Sequence, residues 1–99
     1  MSDTETLGTV LDDLYDLIQS RQRERPEGSY TTRLFARGMD KILQKVGEEA
    51  TETIIAAKNA DKRPVILETA DLFYHLIVML VAREISLDEV KNELVSRRK

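Results

Sequence analysis

Cysteine and tryptophan are absent from this 99-residue chain, proline occurs twice, glycine four times, and aromatic residues make up only 5%. Without cysteine there is neither a disulfide framework nor a thiolate metal site, so any bound metal falls to carboxylates and to the single His75. That usage suits a reducing cytoplasm, the expected location. A basic excess is also missing: 15 Lys and Arg stand against 18 Asp and Glu, for a net charge of −3. No positive field gathers a phosphate backbone, and nucleic acid is not an expected partner. The basic end Arg97-Arg98-Lys99 reads as a solvated helix terminus. Long apolar runs are lacking too. The longest extends only from Leu76 to Ala82, far short of the ~20 residues that span a bilayer. Met1-Ser2-Asp3-Thr4-Glu5 has neither the basic start nor the apolar stretch of a secretory signal. A soluble, unexported protein with no membrane partner is expected.

What is present is helical periodicity. Leu7, Val10, Leu11, Leu14, Leu17 and Ile18 recur at helical spacing, which predicts a first helix over about 4–24, ended by Pro26 and Gly28. Ser29-Tyr30-Thr31-Thr32 offers capping hydroxyls to a short helix ending near Gly38. From Met39, the residues Ile42, Leu43, Val46, Ala50, Ile54 and Ala57 carry a second long helix to Asn59-Ala60-Asp61, before Pro64. A third, over about 65–83, is apolar nearly all round and should be central, buried on most sides. Ser86-Leu87-Asp88-Glu89 is a capping box opening a last helix to about Ser96, with Leu87, Val90 and Leu94 expected to face inward. No segment alternates with a period of two, so no sheet is expected. The prediction is one all-α domain over 1–99, a bundle of four to five helices. A chain this short buries only roughly 60–70% of its unfolded surface, so a partner chain should complete the core, as in a homodimer.

Chemistry concentrates in Lys45-Val46-Gly47-Glu48-Glu49-Ala50-Thr51-Glu52 and Glu68-Thr69-Ala70-Asp71. At 100° per residue, Glu49 and Glu52 project from neighbouring points beside an apolar stripe. Glu68 and Asp71 share that offset, and His75 completes one polar line on an otherwise apolar helix. In an antiparallel hairpin, Glu52, nine residues before Asp61, and Glu68, four after Pro64, lie at comparable distance from the turn. Four such carboxylates would repel one another and resist ionisation unless a cation compensates them. All-oxygen ligands favour magnesium, with manganese possible, over zinc. The bland alternative is that these acids are a solvated face, but two acids inside so apolar a helix are costly without compensation.

Lys45 precedes Glu49 by one turn and Lys41 precedes Lys45 by another. The row either holds phosphates on the far side of a metal or, for Lys45, pairs with Glu49. Lys58, Arg33 and Arg37 are further cationic candidates. His75 is read as hydrogen-bonding and orienting the Asp71 carboxylate rather than as a general base. Phe73 and Tyr74 read as core or interface aromatics. No Walker loop, dinucleotide fingerprint or nucleophile triad occurs.

The pattern Glu48-Glu49-x-x-Glu52 followed by Glu68-x-x-Asp71 resembles the motif of the all-alpha, MazG-like nucleoside triphosphate pyrophosphohydrolases. The wider text is similar to the phosphoribosyl-ATP pyrophosphohydrolase family of histidine biosynthesis. Its segments are Gly28-Ser29-Tyr30-Thr31, Lys45 to Glu52, Ala56-Ala57-Lys58 and Glu68 to Leu76. The likeness runs from about residue 5 to 95. It implies magnesium ligation by Glu49, Glu52, Glu68 and Asp71, with Glu48 as a further ligand or in activating water, and a homodimer. It also implies hydrolysis of phosphoribosyl-ATP between the α- and β-phosphates, with Tyr30 joining Lys45, Lys41, Lys58 and Arg33 as the substrate-binding set. With no room here for the cyclohydrolase fused to some members, the stand-alone form is expected. Two competitors are a house-cleaning pyrophosphatase acting on dUTP, dCTP or damaged nucleotides, and a non-catalytic helical dimerisation module.

Overall fold

A computed structural model of the chain describes residues 5–98 as five helices: α1 (Leu7–Glu24), α2 (Tyr30–Arg37), α3 (Met39–Ala57), α4 (Lys62–Ala82) and α5 (Leu87–Ser96). No strand occurs among the described residues, so the chain is all-α. The start of α1 is set by a reciprocal cap: the Thr6 hydroxyl accepts the Thr9 N–H at 3.1 Å while the Thr9 hydroxyl accepts the Thr6 N–H at 2.9 Å. The expected start, at Thr4, lies outside the described residues. Ser29 caps α2 by accepting the Thr32 N–H at 3.2 Å.

Gly38 both ends α2 and opens α3, at φ 92° and ψ 179°. That region is essentially closed to residues with a Cβ. The chain turns there without a loop.

The core joins Ile18 of α1, Leu34 and Phe35 of α2, Ile42 of α3, and Ile77, Val78 and Val81 of α4. Each such burial contributes about 1.5–3 kcal/mol. The tightest packing is between α3 and α4, an antiparallel pair joined by residues 58–61.

Three expectations need correction. First, α4 begins at Lys62, not near 65, with Pro64 inside its first turn; a proline there removes no helical hydrogen bond, because first-turn N–H groups have no intrahelical partner. Second, α4 is buried only toward its C-terminal half, while Ile66 and Leu67 are half exposed. Third, Ser86 does close a capping box with Glu89, but only Leu87 of the expected inward face packs against the core. Val90 and Leu94 are exposed, Leu94 at 64%, because no other helix of this chain covers that side of α5. By length and composition α4 would suffice to cross a membrane; here it is the core helix, with Ile77, Val78 and Val81 packed on its neighbours.

Candidate metal and phosphate site

Along α3 the polar flank runs Lys41, Lys45, Glu48, Glu49 and Glu52; along α4 it runs Glu68, Asp71 and His75. The antiparallel pairing brings the two flanks together. Glu49, Glu68 and Asp71 each present an oxygen within 4.8 Å of the others. Glu52, also expected to converge, stands at the exposed edge of this trio. It is near enough to act on Glu68: that neighbour first, then burial, then the charges of Glu52, Glu49 and Asp71 push the Glu68 carboxyl above its ordinary range. Between the two acid pairs, the Thr53 hydroxyl donates to the Glu49 carbonyl at 2.7 Å and lies 3.2 Å from the Glu68 carbonyl. It pins the two helices where the acids meet.

Glu49 is only 6% exposed. One of its oxygens lies 3.5 Å from the Lys45 ammonium. Its other oxygen, and one of Glu68, are sealed from solvent and meet no hydrogen-bond donor among the described residues. Buried carboxylate oxygens left bare cost several kcal/mol unless a cation meets them. Three hard carboxylate oxygens gathered in this way are the donor set that suits a divalent cation of the magnesium type.

Beside the acids lies a cleft of about 410 Å³ whose wall carries Tyr30, Arg33, Arg37, Lys41 and Lys45. Burial works against the Lys45 ammonium, yet the Tyr30 phenol, Glu48 and Glu49 outweigh it and hold its pKa above the ordinary value. The Tyr30 phenol is pushed up by burial, with Lys45 opposing. Arg33 lies 5.8 Å above the Tyr30 ring, within cation–π range. Glu48 is half-buried and faces the Gln44 amide at 3.4 Å. Lys58 is not brought to this cleft; it closes the C-terminus of α3, exposed.

His75 corrects a further expectation. Its Nδ1 meets the backbone carbonyl of Asp71, not the carboxylate, at 2.8 Å. A carbonyl only accepts, so Nδ1 carries the proton, and in the neutral ring Nε2 accepts the Tyr30 hydroxyl at 2.8 Å. With both nitrogens engaged and the residue 6% exposed, the ring is a strut. The adjacent pair repeats the link, the Thr31 hydroxyl bonding the Tyr74 hydroxyl. Two successive residues of α2 thus clasp two successive residues of α4. The sequence offered Tyr30-Thr31 and Tyr74-His75 as separate matches, with nothing to say that they pair. Thr53 was missed as well, though its place four residues after Glu49 was a visible cue.

The model of the family described as Phosphoribosyl-ATP pyrophosphohydrolase matches residues 11–98. The chain belongs to that family. Members of it with curated names agree: a phosphoribosyl-ATP pyrophosphatase of Clostridium novyi is 50% identical over 90 residues, covering 91% of this chain and 82% of that protein. One from Lacticaseibacillus casei is 56% identical over 84 residues, 85% of this chain and 76% of that protein. The histidine biosynthesis bifunctional protein HisIE of Caldanaerobacter subterraneus is 50% identical over 97 residues, 98% of this chain but 47% of that protein. The family match spans the acid trio, the cleft and the clasp.

Proposed function

We propose that this chain hydrolyses phosphoribosyl-ATP to phosphoribosyl-AMP and pyrophosphate, in the second step of histidine biosynthesis. The observation that carries the reading is the pair of buried, unpartnered carboxylate oxygens of Glu49 and Glu68, set beside a cleft walled by cations. Glu49, Glu52, Glu68 and Asp71 would hold Mg²⁺, with Mn²⁺ as a substitute of the same hard class. When bound, such a cation neutralises phosphate oxygens and makes water more acidic.

The chain's own groups do the rest. Lys45 stays cationic throughout the physiological range and sits one helical turn from Glu49, where it can turn from that carboxylate to an oxygen of the departing pyrophosphate. Lys41 lines the cleft beyond it and helps to keep the nucleotide's phosphates in place, while Arg33 and Arg37 line the rest of the wall and the Tyr30 ring lies beneath Arg33. Glu48, half-buried one turn from Gln44 and next to Glu49, is the carboxylate left to take the proton of the attacking water. His75 ties α4 to Tyr30 of α2 and so steadies the helix that carries Glu68 and Asp71. No covalent intermediate is needed.

Residues 1–99 would act as one catalytic domain in the cytoplasm, assembled as a homodimer. The chain alone exposes 7318 Å², whereas a monomer of 11.3 kDa exposes about 5,700 Å². Ile54 at 65%, Ile55, Ile66 and Leu67 make up part of that excess at one end of the α3–α4 pair, an apolar area suited to a second copy. Sedimentation equilibrium should find a dimer or larger; a folded, active monomer at micromolar concentration would contradict this.

A substrate panel tests the activity. Phosphoribosyl-ATP should be turned over with kcat/KM on the order of a hundredfold above ATP or dUTP, about 2.7 kcal/mol of transition-state binding. Comparable rates on all three would remove the histidine-pathway reading and favour a house-cleaning pyrophosphatase. No pyrophosphate release from any would favour a dimerisation module.

A further inference from the structure

The cations of the cleft are not equivalent in position. Lys45 and Lys41 precede Glu49 by four and eight residues on α3, about 6 and 12 Å along the helix axis. The α2 helix starts beside the acids, where Tyr30 touches His75. It ends at Gly38, joined to the beginning of α3, ten residues and about 15 Å of helix before Glu49. Arg33 and Arg37, one turn apart on α2, therefore recede from the acids toward the outer end of the cleft.

Neither arginine, nor Lys41, pairs with a carboxylate among the described residues; the ion pairs there are Lys45–Glu49, Lys91–Asp88 and Arg97–Glu93. In a chain of net charge −3, three cations left unpaired around one cavity form an anion site. Arg33 is held in place by its bond to the Gly28 carbonyl at 3.4 Å and by the Tyr30 ring beneath it. A guanidinium so oriented receives a phosphate through two parallel hydrogen bonds.

A triphosphate held at the acids meets Lys45 first, whereas Arg37, one turn beyond Arg33 on α2, stands farthest out along that helix. What distinguishes a phosphoribosylated nucleotide from the free triphosphate is a second phosphate, a monoester carried on the added ribose at the far side of the base. We infer that Arg33 and Arg37 bind that distal phosphate and thereby set the preference for the phosphoribosylated substrate. The inference rests on the substrate reading above and adds which residues enforce it.

The test replaces both arginines, R33A/R37A, with R33K/R37K as a companion that keeps charge without the planar fork. Both side chains are exposed and outside the core, and a melting curve checks that the fold is kept. For the double alanine variant, kcat/KM on phosphoribosyl-ATP should fall by roughly a hundredfold, while the rate on ATP falls far less, so that the ratio between them collapses. Ribose 5-phosphate, added as a probe, should inhibit the wild type competitively and lose that inhibition in the alanine variant, with the lysine variant intermediate. An equal fall on both substrates would mean that the arginines hold the triphosphate and would overturn the inference, as would an unchanged ratio or inhibition that survives in the variant. A wild type that does not distinguish phosphoribosyl-ATP from ATP would instead defeat the substrate reading, and this inference with it.

Discussion

Two polar clusters share one face of α4, a single turn apart. Glu68 and Asp71 meet Glu49, with Glu52 at the edge beside Glu68, in a group of like charges with two bare, buried oxygens. Tyr74 and His75 meet Tyr30 and Thr31 in a group where each hydroxyl and ring nitrogen has a partner. The first opposes folding unless a cation compensates it, and the second supports folding with or without one. The fold places a costly cluster where a well-bonded one next to it fixes the backbone.

The largest effect expected from breaking this contrast is at Glu52. Glu52→Gln keeps the shape and discards an anionic ligand, so turnover should drop by on the order of a hundredfold or more. Its metal-free form should nevertheless melt no lower than metal-free wild type, because a repulsive charge is gone. Magnesium at a hundred times its Kd should stabilise the wild type by about 2.7 kcal/mol and the variant much less. A pyrophosphate-release assay and melting curves with and without magnesium check both halves. Wild-type melting indifferent to saturating magnesium would defeat the convergent site.

The opposite sign is expected in the second cluster. His75→Ala empties a buried position and orphans Tyr30, which should lower stability by about 2–4 kcal/mol with or without magnesium. Tyr30→Phe keeps the ring and removes only the hydroxyl, at about 1–3 kcal/mol. Urea denaturation measures both, and a near-neutral His75→Ala would show that the clasp holds nothing.

The smallest effect concerns pH. The Glu68 carboxyl is raised above its unfolded value, so its contribution to stability is complete below the unfolded pKa and is lost as pH rises through the raised folded value. The melting temperature of metal-free protein should therefore decline as pH rises through and just above the carboxylate range. Glu68→Gln should flatten that slope, and magnesium should reverse it. A decline equally steep in Glu68→Gln would assign the pH dependence to other groups.

Much of this was legible in sequence because it is local. The Ser29 cap, the Ser86–Glu89 capping box, the Gly38 break and the three-residue offsets of the acids are all written within a single helical turn; the Thr6–Thr9 cap was equally local but was not read. Lys62 escaped because a proline was taken as a boundary when it belongs to a first turn. Val90 and Leu94 escaped because periodicity shows that a helix has an apolar side without showing what lies against it. Glu52 was expected inside the acid trio because its angular position fits; its exposure depends on where α4 crosses, which no spacing on α3 reveals. The clasp joins residues more than forty positions apart, and the side chains that make it carry no local mark of their partners.

Gly38 has a consequence for what this chain can tolerate. Since one residue is both the C-cap of α2 and the N-cap of α3, there is no slack in which an insertion could be absorbed. One added residue would turn α3 by about 100° and advance it by about 1.5 Å relative to α2. The clasp would still hold α2 to α4, so the mismatch would fall on Lys41, Lys45 and Glu49 together. The joint works as a length gauge, keeping the number of residues between Tyr30 and Glu49 fixed.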